Sequence, residues 1–276
     1  MYEKYWGLTE KPFENTPNPK FMYYSKKHEE ALMRLLYAIK EEKGAAMLTG
    51  EYGSGKTALS RIIIDELIKD KIYEAALITH PQLTPVQFLQ EIIYQLKNEH
   101  ARGSKPQLLH MMQDVIYKNF NEGKKTVILI DEAQIIRDKE TFEEVRLFLN
   151  FQLNHKFLIT LILIGQPELL VKIKSIPQLK QRLGIKYHLV GLSDIETAEY
   201  IKHRLSVGGS KKDVFTPEAI EVIYGYSKGL PRSINNICDM SLLIGFGQEA
   251  KIIDKELAQK IMADLTMEGS FNAENV

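Results

Sequence analysis

A glycine-rich segment of eight residues offers the first candidate chemistry in this chain. The segment fits the pattern G-x-x-x-x-G-K-[ST] at every fixed position and consists of Gly50, Glu51, Tyr52, Gly53, Ser54, Gly55, Lys56 and Thr57. Glycines let such a loop approach a phosphate closely, so that several backbone N–H groups surround one anion. Lys56 would place its ammonium between the β- and γ-phosphates, and the Thr57 hydroxyl would coordinate Mg²⁺. We therefore expect a nucleoside triphosphate to bind here and include Ala58, the next residue, among its contacts.

Two carboxylates follow an apolar run further along the chain. Residues 126–130 read Thr-Val-Ile-Leu-Ile and lead directly into Asp131 and Glu132. At the carboxyl edge of a parallel sheet, Asp131 would face the phosphate loop and coordinate Mg²⁺, directly or through water. Glu132 is suited to polarise the attacking water as a general base. A strand that ends in solvated acids is the alternative, but the glycine loop about 75 residues upstream favours the catalytic interpretation.

Three further polar residues are candidates for sensing or stabilising the γ-phosphate. Gln166 follows an apolar run and would orient water between Glu132 and the phosphate, or else it is a turn residue before a proline. Arg182 would reach the γ-phosphate of a neighbouring subunit and stabilise transition-state charge, or else it is a surface arginine. Arg232 follows a proline in a helical first turn and would point back at the γ-phosphate from a second domain, or else it is solvated.

The elements that must position these residues alternate between strands and helices. Apolar strand patterns occupy residues 45–49, 75–79, 126–130, 159–164 and 186–190. Helical patterns occupy residues 28–42, 57–69, 85–96, 108–122, 139–151 and 167–173. Strands that are apolar on both faces and separated by helices predict a five-stranded parallel sheet covered on both sides. After residue 192 only helical patterns remain, at 194–206, 216–226, 231–245 and 254–265, with capping signals at Ser193 and Thr216.

These patterns define four segments. Residues 1–27 are rich in aromatic residues and prolines, which predicts an extended arm laid over the main domain rather than a helix. Residues 28–192 form the α/β nucleotide-binding domain and 193–266 a small all-α domain. Residues 267–276 form a polar tail.

Composition limits the classes of function. The chain has 276 residues, 44% of them hydrophobic and 26% charged, and its formal net charge is zero, so bulk charge gives no argument for a nucleic-acid or membrane partner. Cys238 is the single cysteine, which rules out an internal disulfide and leaves no partners for a thiolate metal site. No apolar run approaches the ~20 residues of a membrane span, and no secretory signal is visible. We expect a cytoplasmic protein without direct membrane insertion.

Together these motifs resemble an AAA+ ATPase, with residues 51–57 as Walker A, 127–132 as Walker B, Gln166 as sensor 1, Arg182 as the arginine finger and Arg232 in sensor 2. More specific motifs resemble the general secretion pathway protein A (ExeA) family: Tyr5-Trp6-Gly7-Leu8, Lys11-Pro12-Phe13, Thr16-Pro17-Asn18-Pro19, Phe21, Ser25, His28, Glu30-Ala31-Leu32, Ile164-Gly165-Gln166-Pro167-Glu168-Leu169 and Gln181-Arg182. Secretion-type members continue into a membrane segment and a periplasmic peptidoglycan-binding region, so the resemblance of this 276-residue sequence covers the motor part.

The resemblance implies a nucleotide pocket between two domains, ATP and Mg²⁺ as cofactors, and a homo-oligomer in the form of a ring or a filament. It also implies that the N-terminal arm around Tyr24, Ser25 and His28 closes the adenine side of the pocket. For His28 a solvated position at a helix N-terminus is the alternative.

Three functions remain open at this stage. The first is an ATP-dependent switch or motor on a protein assembly of the secretion or cell-envelope type. The second is a transposition regulator that oligomerises on duplex DNA and recruits a transposase, supported by a small basic group that is equally consistent with a solvated face: Lys202, His203, Arg204, Lys211 and Lys212. The third is a module that binds nucleotide without hydrolysis, which Glu132 and Gln166 argue against because binding alone needs neither.

Overall fold

The computed structural model describes residues 1–16, 18–137, 139–153 and 155–273. Pro17 of the N-terminal motif and the last three residues of the polar tail therefore lie outside the described part. The chain divides into two compact units. One contains residues Lys26–Glu51 and Lys56–Leu189, and the other contains Met1–Ser25, Tyr52–Gly55 and the chain from Val190 on.

A five-stranded parallel sheet forms the centre of the first unit, as the sequence predicts. Its strands are β1 (Ala45–Gly50), β2 (Tyr73–Ile78), β3 (Lys125–Ile130), β6 (Ile159–Gly165) and β7 (Leu183–Leu189). Their order across the sheet is β2-β3-β6-β1-β7, and every neighbouring pair is parallel. Every residue of β1 and β6 is buried, which explains why both strands are apolar on both faces.

Within the described residues, seven α-helices belong to this unit. They are α2 (Lys26–Lys40), α3 (Lys56–Lys69), α4 (Pro85–Lys97), α5 (Lys105–Asn121), α6 (Lys139–Phe148), α7 (Glu168–Lys174) and α8 (Pro177–Arg182). Thr84 and Gln87 form a capping box that starts α4, since each side chain satisfies the backbone of the other residue. Phe88 of α4 stacks on Phe148 of α6 with ring centroids 6.2 Å apart, in the core beside the sheet.

The sequence patterns missed three short elements of this unit, one helix and two strands. Helix α8 is only six residues long, too short for a helical period to be visible. The antiparallel strands β4 (Gln152–Leu153) and β5 (Lys156–Phe157) contain two residues each and lie between the helical pattern that ended at residue 151 and the strand pattern that began at residue 159. The pattern for β7 began at residue 186, whereas the strand begins at Leu183.

Helices dominate the second unit. They are α9 (Asp194–Val207), α10 (Pro217–Ser227), α11 (Pro231–Gly247) and α12 (Lys255–Ala273). Ser193 and Glu196 form the capping box of α9, and the Thr216 hydroxyl caps α10 by accepting from the Ala219 N–H. Cys238 is buried in α11, and this burial raises the pKa of its thiol well above the usual range.

The N-terminal segment packs on these helices of its own unit. Tyr2, Trp6, Leu8 and Phe13 belong to the core formed by the C-terminal helices. The segment is also partly helical: α1 spans Glu3–Trp6 and a 3₁₀ turn spans Pro19–Phe21. Prolines excluded a long helix here but not two short turns, because a proline is tolerated in the first helical turn.

Candidate functional site

The glycine loop joins β1 to α3, in the order of elements that the motif requires. Gly53 and Gly55 adopt φ angles of 78° and 102°, a left-handed region that residues with a Cβ rarely occupy. Lys56 is only 4% exposed, and its ammonium donates to the carbonyls of Gly50 at 2.8 Å and Glu51 at 2.9 Å. Burial lowers the pKa of this ammonium, while the carboxylates of Glu132 and Asp131 oppose the shift. The loop therefore holds a desolvated cation beside two acids.

The tip of the loop contacts the start of α11 within the second unit. The backbone N–H of Arg232 donates to the Gly53 carbonyl at 3.2 Å. The Arg232 guanidinium lies 4.6 Å from the centroid of the Tyr52 ring, in cation–π geometry. A Cβ on Gly53 would lie 2.6 Å from the Arg232 Cβ. Both the positive φ angle and this close approach therefore require glycine at position 53. Arg232 is thus bound to the loop, whereas its contact with a γ-phosphate stays a prediction.

Asp131 follows β3 and lies against the first turn of α3. The Ser60 hydroxyl donates to Asp131 Oδ2 at 3.3 Å, and Thr57 also hydrogen-bonds this carboxyl. Asp131 is 2% exposed, and burial raises the pKa of its carboxyl despite these hydrogen bonds. Ser60 was not among the expected site residues, although its position three residues after Thr57 places it on the same helix face.

Glu132 and Gln166 meet at the same sheet edge. Gln166 Nε2 donates to Glu132 Oε2 at 3.5 Å, although the two residues are 34 positions apart. Glu132 has a left-handed backbone, with φ 51° and ψ 36°, which is uncommon for a residue other than glycine and concentrates at functional sites. Gln134, which the sequence analysis did not select, also donates to Glu132 Oε2. No periodic pattern could have indicated it, because it lies in a 3₁₀ turn between the carboxylates and α6.

Arg182 lies at the opposite edge of the sheet. Its Nη1 donates to Asn150 Oδ1 at 2.8 Å, and the next residue, Leu183, is paired with Ala45 at the start of β1. The glycine loop leaves from the other end of β1, at Gly50, which the strand rise places roughly 17 Å away. An arginine side chain cannot span that distance. Arg182 is therefore apart from the other residues of the candidate site in its own unit.

The residues expected near the adenine have different environments. Tyr24 is 44% exposed, whereas Ser25 and His28 are buried, so His28 is not the solvated residue that was considered as an alternative. A contact between any of them and a base stays a prediction.

The small basic group is not a continuous basic surface. Arg204 is only 7% exposed and donates from Nη2 to the Glu14 carbonyl at 3.0 Å, from Nη1 to the Tyr200 hydroxyl at 2.9 Å, and from Nε to the Pro12 carbonyl. Its guanidinium also lies 5.1 Å from the Phe21 ring centroid. Arg204 anchors the N-terminal segment and is not available to a phosphate backbone.

The donor set at the sheet edge fits a small hard cation. Asp131 and Thr57 offer oxygen ligands that are already in contact, and Mg²⁺ is commonly held by one or two protein oxygens together with phosphates and water. Within the described residues no cluster of three or more His, Cys, Asp or Glu side chains could hold a metal.

Comparisons with known proteins agree with this geometry. Residues 39–173 match the family model of the AAA domain. The chain is 37% identical over 280 residues to the general secretion pathway protein A of Aeromonas hydrophila, with 99% of this chain and 50% of that protein covered. Its fold is similar to Drosophila ORC bound to DNA (TM-score 0.69, 18% identity, 92% of this chain and 64% of that chain). It is also similar to Cdc6p from Pyrobaculum aerophilum (TM-score 0.70, 15% identity, 89% and 68%).

The chain therefore has the P-loop AAA+ fold, with an AAA domain over residues 39–173. It is related over nearly its whole length to general secretion pathway protein A, which confirms the family resemblance in the sequence motifs, and it spans half of that protein's length. No helix within the described residues is long and apolar enough to cross a membrane.

Proposed function

We propose that this protein binds ATP with Mg²⁺, hydrolyses it, and assembles in the ATP-bound state into a homo-oligomer that acts on a larger protein assembly. The observation that carries the proposal is the convergence of the buried Lys56, the Thr57–Asp131 pair and the Glu132–Gln166 pair at one sheet edge. A module that only binds nucleotide needs Lys56, Thr57 and Asp131. It does not need a carboxylate that an amide side chain orients.

Each residue has a role that its surroundings support. Lys56 and the loop N–H groups bind the phosphates, and Thr57 with Asp131 holds Mg²⁺. When bound, the metal neutralises charge on the phosphates. Glu132 accepts the proton of the attacking water, and Gln166 orients this carboxylate.

A neighbouring subunit supplies the arginine finger. Arg182 lies at the sheet edge away from its own glycine loop, so it serves a γ-phosphate only in another copy of the chain. Hydrolysis then depends on assembly, because an arginine in trans stabilises transition-state charge that the isolated site leaves uncompensated.

Replacing Glu132 by Gln tests the hydrolytic role. We expect Glu132→Gln to keep ATP binding and to lose turnover by about 100-fold or more, since an amide cannot take a proton. The measurements are steady-state phosphate release and titration of a fluorescent ATP analogue. Equal and slow turnover in both proteins, with ATP bound by each, would show a nucleotide-binding module instead of an enzyme.

Similarity to general secretion pathway protein A supports a partner in a secretion or cell-envelope assembly. The alternative is a regulator of DNA transposition that oligomerises on duplex DNA, which the fold similarity to ORC bound to DNA favours. The buried Arg204 weakens the alternative, because it removes one cation from the group that was expected to contact DNA.

Particle mass separates these two possibilities. The mass of the protein with a non-hydrolysable ATP analogue is measured with and without duplex DNA at two salt concentrations. Assembly with nucleotide alone, unchanged by DNA, supports a protein-directed switch. Large salt-sensitive assemblies that need both nucleotide and DNA support the transposition class, because phosphate contacts release counterions.

A further inference from the structure

We propose that Gln134 is a positioning residue that fixes the Glu132 carboxylate for hydrolysis. This role rests on the proposed ATPase function, and it assigns a task to a side chain between Walker B and α6 that no motif identifies. Gln134 links the carboxylate to the end of β6 and to α7, so it joins three parts of the site.

The first link runs from Gln134 to the general base. Gln134 Nε2 donates to Glu132 Oε2, the oxygen that also accepts from Gln166 Nε2 at 3.5 Å. Two amides therefore hold one oxygen of the carboxylate, which leaves Oε1 to receive the proton from water. Since Glu132 lies on a left-handed backbone at a turn, its side-chain direction depends on such contacts.

The second link fixes Gln134 itself. Its Oε1 accepts from the backbone N–H of Gln166 at 3.0 Å, immediately after β6. A Cβ on Gly165 would lie only 2.5 Å from the same Oε1, so the glycine at the end of β6 provides the space that the amide occupies. The Gln134 side chain thus has a defined donor end towards Glu132 and a defined acceptor end towards Gln166.

The third link holds the turn that carries Gln134. Lys172 of α7 donates from Nζ to the Gln134 carbonyl and, at 2.8 Å, to the Ile136 carbonyl. The 3₁₀ turn Ala133–Ile135 is therefore anchored at its backbone independently of the Gln134 side chain. A change in that side chain can be made without releasing the turn.

Two substitutions separate orientation of Glu132 from simple packing. Gln134→Ala removes both links, and we expect kcat for ATP to fall about 10- to 100-fold with KM nearly unchanged, because a misdirected base slows chemistry without weakening binding. Gln134→Glu keeps an acceptor for the Gln166 N–H but replaces the donor with a second carboxylate. We expect a similar loss of kcat at pH 8.

The separation of kcat from binding gives the sharper result. Both variants change the contacts of the Glu132 carboxylate and leave Lys56 and the glycine loop unchanged. The Kd for ATP should therefore stay within about twofold of the wild-type value while kcat falls.

Gln113→Glu is the matched control. It makes the same change from an amide to a carboxylate, but at an exposed position of α5. It should have the wild-type kcat and KM. Wild-type kcat in Gln134→Ala, or a rise in KM that accounts for the whole loss, would overturn the role of Gln134. Absence of turnover in the wild type would instead refute the ATPase function, and this role with it.

Discussion

Lys56 and Asp131 are charged side chains that the fold removes almost completely from water. Burial shifts the pKa of both groups towards their neutral forms, downward for the Lys56 ammonium and upward for the Asp131 carboxyl. A protein that needed only stability would avoid this arrangement, since an ionised group without water lowers the stability of the folded state. The burial of both residues is instead typical of charged groups that bind a charged ligand.

Asp131→Asn should stabilise the nucleotide-free protein while it abolishes function. The raised folded-state pKa means that ionising Asp131 costs more free energy in the folded chain than in the unfolded chain. We expect a gain on the order of 1 kcal/mol in the free energy of unfolding at neutral pH. The gain should be absent at low pH, grow as the pH rises above the ordinary pKa of an aspartate, and level off once Asp131 is ionised in the folded state.

Urea denaturation of both proteins across this pH range measures the difference, and phosphate release with Mg²⁺-ATP measures the loss of function. Ser60→Ala is a useful comparison, because it removes one hydrogen bond to Asp131 and leaves the carboxyl in place. A variant that is less stable than the wild type at every pH would show that the Asp131 hydrogen bonds outweigh its desolvation.

At the scale of elements, the sequence predicted the longer helices and strands, because their apolar patterns extend over enough residues to be recognised. The central strands could be predicted because a parallel strand that is covered on both faces has a nearly continuous apolar sequence, and every residue of β1 and β6 is buried. Helix α8 and the strands β4 and β5 were not predicted, because segments of two to six residues are too short to show a periodic hydrophobic pattern. The position of Gln134 in the site was not predicted for a different reason. Its contacts with Glu132 and Gln166 join the ends of two strands that only the folded sheet brings together.

The packing of the N-terminal segment could be predicted only in part from its residues. Its aromatic residues predicted that it must pack on something, but aromatic content does not say on which domain. The partner is set by Trp6, whose Nε1 donates to the Leu242 carbonyl at 2.9 Å, and by Arg204, which binds carbonyls of the segment. Neither partner is close in sequence, so local patterns could not identify it.

Arg204→Met should loosen the segment around residues 12–21. Methionine keeps an apolar stem but loses the donors to the Pro12 and Glu14 carbonyls, and we expect a loss of about 1–3 kcal/mol in the free energy of unfolding. Trypsin should also cleave after Lys20 faster than in the wild type. Lys202→Met on the same helix is the control, because Lys202 is exposed. Equal cleavage rates in the two variants would show that Arg204 does not anchor the segment.

At the scale of the whole molecule, the position of Arg182 makes the proposed enzyme incomplete as a single chain. The residues that bind phosphate and activate water lie at the carboxyl edge of the sheet, and Arg182 lies where β7 begins. The zero net charge gives no long-range field that would hold copies apart or attract a polyanion. Assembly should then depend on local contacts and on the nucleotide, and the active site should form between two copies.

Mixing two inactive variants tests this arrangement directly. Glu132→Gln removes the base but keeps the finger, and Arg182→Ala removes the finger but keeps the base, so each protein alone should show little turnover. In a 1:1 mixture, random assembly would place an intact Glu132 beside an intact Arg182 at about one quarter of the contacts. Phosphate release should therefore recover to about one quarter of the wild-type rate at concentrations where the oligomer forms. A chain with both substitutions, mixed with Glu132→Gln, provides the control and should restore nothing. If Arg182 acts within its own chain, or not at all, the mixture will turn over ATP at the average of its two components.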